Sequence, residues 1–84
     1  MKATTNTAQQ HPAPAWRGVF FDGPQSDTNP EGDEIPAWCV YVGDEEAEPV
    51  GQVHWFHDYR AASAVARSMV QDRRLEFIDE ASPA

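Results

Sequence analysis

The chain reads as a small α+β protein of order β-β-β-α-β. Its expected form is a three-stranded antiparallel meander with one amphipathic helix packed on one face and a short C-terminal strand. Three observations lead there. One segment, Asp58 to Arg74, has helical apolar periodicity. Three short runs rich in aromatic and β-branched residues precede it, and one follows it. Clusters of Gly, Pro, Asp and Asn separate the first two runs.

The first fifteen residues are polar, end in Pro12 and Pro14, and are expected to form a disordered tail that leaves His11 solvated. They lack the apolar run of a signal peptide. The folded unit is expected over residues 16–80, with 81–84 as a second tail. WRGVFF, residues 16–21, is the first expected strand, and its Gly18 marks a bulge or a close contact. Residues 22–36 hold Asp-Gly, Gly-Pro, Asn-Pro and Glu-Gly pairs and read as one long acidic loop.

AWCVYV, residues 37–42, is the second strand. Trp38, Val40 and Val42 share one side, Cys39 and Tyr41 the other. GDEEAEP is an acidic turn. VGQVHWF, residues 50–56, is the third strand, with Val53 and Trp55 opposed to His54 and Phe56.

In the helix, Tyr59, Ala62, Val65, Ala66, Met69 and Val70 fall on one face. Arg60, Ala64, Arg67, Ser68, Gln71 and Arg74 fall on the other. Alanine favours the helix, Asp58 suits its N-cap, and Arg73 and Arg74 suit its negative end. A continuation through Leu75 and Ile78 would carry both onto the arginine face, so the helix stops near Arg74 and a strand follows over residues 75–78. That strand lies parallel beside the first or pairs with another chain.

A single helix covers one sheet face, yet large apolar residues occur on both sides of the strands: Phe20 against Phe21, Trp38 against Tyr41, Trp55 against Phe56. A sheet with one wet face alternates more cleanly. The second face therefore calls for cover by the loop or tail, by a symmetric dimer, or by another partner.

The 84 residues carry a formal net charge of −8, unevenly spread. Met1 to His57 holds Lys2 and Arg17 against nine acids, whereas Tyr59 to Arg74 holds four arginines against Asp72. The acidic excess disfavours nucleic acid and anionic membrane as partners. One cysteine, Cys39, excludes an internal disulfide and fits a cytoplasmic location.

No motif commits the chain to chemistry. His54 and His57 stand three apart, which on a strand points them to opposite faces, so a zinc site with Cys39 is not expected. Asp27, Asn29, Glu31 and Gly32 trace the start of a calcium loop, but Trp38 stands where its bidentate Glu belongs and Pro30 and Pro36 interrupt it. A thiol nucleophile at Cys39, with His54 or His57 as base, would sit among apolar neighbours that leave thiols inert.

The expectation is a cytoplasmic, non-enzymatic protein-interaction module, without cofactor or metal, whose partner is another protein or a second copy. Its candidate surface comprises Arg60, Arg67 and Arg74, a stripe with about 10 Å between neighbours, together with Tyr41 and Phe56. Two alternatives stand beside it: an acidic DNA-mimic inhibitor of a nucleic-acid-binding protein, and a metal-binding or thiol enzyme using Cys39, His54 and His57.

Overall fold

A computed structural model describes residues 16–83. The expected tail over residues 1–15, with His11, lies outside the described residues, as does Ala84. Four strands and one helix follow in the order β-β-β-α-β: β1 (Trp16–Thr28), β2 (Glu34–Asp44), β3 (His54–Phe56), α1 (Tyr59–Arg73) and β4 (Glu76–Ala81). They form one mixed sheet in the spatial order β3-β2-β1-β4 with the helix packed on it, as the sequence predicts. β2 is antiparallel to both β1 and β3. β4 lies parallel to β1, from Gly18 opposite Glu76 to Gly23 opposite Ala81. The helix thus carries the chain from one sheet edge to the other.

The core lies between α1 and the face bearing Val19, Phe21, Trp38, Val40 and Val42. Ala62 and Ala66 are fully buried, which lets the helix sit close to the strands. The aromatic rings supply the volume that alanine does not. Phe21 lies 5.4 Å from Tyr59 and 6.4 Å from Phe77, and Trp38 meets Tyr59 edge-on at 6.0 Å. Met69 and Val70 pack against this cluster from the last turns of the helix.

Both helix ends are closed by the residues the sequence marks. The Asp58 carboxylate accepts from the Ala61 N–H at 3.1 Å. Arg74 adopts the left-handed conformation, with φ 55°, and its N–H donates to the Val70 carbonyl. A left-handed residue just past the last turn stops a helix without glycine, though glycine would adopt it at less cost.

Three expectations need correction. Residues 22–36 are not one loop: β1 continues to Thr28 and β2 starts at Glu34, so the hairpin turn spans only residues 29–33. A register shift between Asp22 and Gln25 lets the ladder resume beyond the cis Gly23–Pro24 bond. Asn29 closes the turn, its side-chain oxygen accepting from the Asp33 N–H at 2.9 Å.

The third strand is shorter than residues 50–56; only His54–Phe56 pair with β2, preceded by an isolated bridge between Gly43 and Pro49. The chain end is more ordered than a tail over residues 81–84. Ala81 belongs to β4, the Ser82 N–H donates to the Gly23 carbonyl at 3.0 Å, and the Ser82 carbonyl accepts from Trp38 Nε1 at 2.8 Å.

Candidate functional site

Strand register assigns every side chain to a face, and the face away from the helix is the informative one. Across it, Tyr41, Phe20 and Ile78 stand side by side on β2, β1 and β4. The rings of Phe20 and Tyr41 stack at 5.2 Å with an interplanar angle of 6°. One step along lie Gly43, Gly18 and Glu76. A Cβ at Gly43 would come within 2.5 Å of the Phe20 ring, so the glycine makes room for an aromatic side chain laid along the sheet. A Cβ at Gly18 would meet the Glu76 carbonyl at 2.6 Å. Gly18 therefore serves both roles its sequence position suggests, a close contact and the edge of a register shift.

In the opposite direction the next row runs Trp55, Cys39, Asp22 and Glu80 across all four strands. Cys39 is only 4% exposed and Phe20 only 5%, despite their place on the far face. Trp55, in contrast, is 54% exposed, the single exposed large apolar side chain among the described residues.

Beyond this row, Ala37 pairs with Gln25 and Ile35 with Asp27. Here a concavity of about 280 Å³ opens, lined by Trp55, Ala37, Gln25, Ser26 and Asp27. Its form follows from sheet geometry. Trp55 on β3 and Gln25 and Asp27 on β1 are separated by the single strand β2, a spacing of about 10 Å. Between them β2 presents Cys39 opposite Trp55, Ala37 opposite Gln25 and Ile35 opposite Asp27, and the methyl group of Ala37 forms the floor of the concavity.

His57, just past β3, reaches across β2 and donates from Nε2 to Asp27 Oδ2 at 2.8 Å. The other carboxylate oxygen accepts from the Thr28 N–H at 2.8 Å. The His57 hydrogen bond, and then that of Thr28, hold the Asp27 carboxyl below the usual aspartate range.

The residues singled out from sequence are not brought together. Tyr41 lies on the far face, with its hydroxyl donating to the Ala47 carbonyl at 3.3 Å. Phe56 lies on the opposite side, paired with Trp38 and packed against the core, so it is not part of the free surface. Of the arginine stripe, Arg60 is exposed at the start of the helix. Arg67 folds over the Phe77 ring at 5.4 Å and bonds Ser63 Oγ. Arg74 has left the helix. All three arginines are exposed, with Arg67 laid over Phe77 and Arg74 at the helix cap.

The exposed residue that matters is Trp55. Its opposition to Phe56 is plain in the sequence; which of the two meets the helix depends on pairing register, which a three-residue strand does not reveal.

The residues of the alternative metal or thiol site are also apart. His54 pairs with Val40 on the helix side, His57 is engaged with Asp27, and Cys39 lies within the far face. Burial pushes the Cys39 thiol up, and the Asp22 carboxylate adds to the shift. A thiol held protonated at neutral pH is a poor nucleophile. The would-be calcium loop is occupied with its own structure: Asp27 holds His57, Asn29 caps the turn, and Trp38 is in the core. No group of three or more His, Cys, Asp or Glu that could hold a metal occurs among the described residues. No helix among them is long and apolar enough to cross a membrane.

No known family, no curated protein and no solved structure matches this chain. Its function has to be read from its own surface.

Proposed function

We propose that the protein is a non-enzymatic interaction module that binds another protein through the sheet face opposite its helix. The observation that carries this reading is Trp55, more than half exposed beside a concavity on that face. The ring is held at a strand position beside Cys39, and aromatic anchors dominate protein interfaces. A reducing compartment such as the cytoplasm suits a chain with a single buried thiol.

The partner is either a second copy or a different protein. Pairing through the outer edge of β4 is disfavoured for a second copy, since Glu76, Asp79 and Glu80 would bring three carboxylates from each copy to one seam. A homodimer would therefore use the far face as well. The DNA-mimic alternative places the acids in a row shaped like a phosphate backbone; here Asp22, Glu76 and Glu80 interleave with apolar residues.

A photo-activatable aromatic side chain, a benzophenone-bearing phenylalanine that keeps a ring at position 55, placed there and separately at position 60, tests the proposal in extracts of the host cell. Covalent adducts from position 55 and none from position 60 are expected. The reverse pattern, or none from either position, overturns it. Adducts twice the mass of the chain identify a homodimer, and adducts suppressed by duplex DNA favour the mimic.

A further inference from the structure

We propose that the concavity between Trp55 and Asp27 is a receptor for one arginine side chain of a basic segment on the partner. This deepens the function proposed above and rests on it. Three features of the site converge on a guanidinium.

The first is charge. Asp27 stands on one wall, and its ionised form is favoured by hydrogen bonds from His57 and Thr28 that also fix its orientation. Each carboxylate oxygen uses one of its acceptor positions in these bonds and keeps another for a ligand. The chain as a whole carries −8, so its field draws cations toward the site.

The second is the opposite wall. Trp55 presents a π surface that attracts a cation, and the planar guanidinium stacks on it as a compact ammonium does not.

The third is size. Two strand spacings of about 4.8 Å set the walls apart, and the Ala37 floor leaves about 280 Å³ between them. That space admits an arginine side chain lying between indole and carboxylate. The Gln25 side chain, paired opposite Ala37, supplies an amide oxygen for a further N–H. His57, spanning β2 to reach Asp27, holds the carboxylate in place from outside the lining of the concavity.

The Arg67 contact with Phe77 on the helix side shows the same pairing of guanidinium and ring satisfied within the chain. At Trp55 the ring is left exposed for a guanidinium from outside.

The test uses the full chain and three capped tripeptides, Gly-Xaa-Gly, with arginine, lysine or citrulline at the centre. Citrulline keeps the planar shape and loses the charge. Binding is followed by NMR through the Trp55 indole N–H and the Gln25 side-chain amide.

The arginine peptide is expected to shift both signals saturably. The lysine peptide should bind several-fold more weakly, and citrulline at least tenfold more weakly. Asp27→Asn and Trp55→Ala should each weaken arginine binding at least tenfold, while Trp55→Phe retains part of it. Arg60→Ala, on the helix, should leave it unchanged. Unchanged backbone spectra in Asp27→Asn establish that the fold persists with the carboxylate neutralised.

Equal binding of citrulline, or shifts centred on Glu76 and Glu80 in place of Trp55, overturns the proposal. Absence of peptide binding while position 55 still cross-links a partner overturns the arginine site alone. Absence of both removes the interaction surface itself.

Discussion

The two faces of the sheet use aromatic residues to different ends. On the helix face, Phe21, Trp38, Tyr59 and Phe77 form a contiguous cluster closed by alanines from α1. On the far face, Phe20 and Tyr41 lie stacked along the strands in space left by glycine, and Trp55 stands out into water. One face fills volume, and the other covers its own backbone and offers what remains. The difference teaches that exposure on this molecule is local: Cys39, the direct cross-strand neighbour of Trp55, is buried.

Substitutions sharpen or break that contrast. The largest effect belongs to Phe21→Ala, which removes a fully buried ring at the centre of the helix-side cluster. A loss of about 4 kcal/mol is expected from transfer and cavity terms together. Urea denaturation followed by circular dichroism measures it. A loss under about 1 kcal/mol would mean that the helix side is not the structural face.

Gly43→Ala comes next. Its new methyl group would press on the Phe20 ring, and a loss of about 1–3 kcal/mol is expected in the same assay. If Gly43→Ala is neutral, the stacked arrangement of Phe20 and Tyr41 is adjustable and the far face is not a fixed platform.

Trp55→Ala should cost about 1 kcal/mol, from the half of the ring that is covered and the weaker strand propensity of alanine, yet abolish partner cross-linking monitored from a neighbouring site. A large loss of stability would instead assign Trp55 to the fold.

The smallest effect is electrostatic. Asp27 has its folded pKa depressed, so the stability it contributes is present above the ordinary aspartate range. That contribution is lost as the pH falls through the depressed value. In His57→Ala the acid-side fall in melting temperature should be shallower than in the parent protein. An identical acid limb would show that the His57–Asp27 contact contributes nothing in solution.

The sequence made the helix and its orientation legible because burial there is one-sided. Alanines at 62 and 66 face the core, Arg60 faces water, and Asp58 closes the first turn as an N-cap should. Strand order followed from connection rules, which left β4 either parallel beside β1 or paired with another chain; the parallel placement is the one found.

The extended hairpin was hidden for the opposite reason. Between Pro24 and Glu34 nearly every residue is exposed, so no alternation of apolar and polar residues records the pairing. Proline and glycine then read as breakers, although β1 and β2 accommodate Pro24 and Pro36 within their length.

The concavity was illegible because it joins Trp55 to residues thirty positions away through a register shift. The His57–Asp27 contact follows from the same shift: without it, Asp27 would turn to the helix side. The contact made by the second arginine of the stripe was hidden for a simpler cause. Helical spacing aligned Arg60 with Arg67, but the Phe77 ring, on a later strand, draws Arg67 aside.

The solitary thiol of Cys39 gives this face a built-in chemical clock. It sits next to Trp55 in the row, shielded and with its proton held tightly. Alkylating reagents thus reach it only when the platform breathes, and the labelling rate counts those openings. An occupant seated on the indole would slow the clock, and one docked on the helix would leave it running.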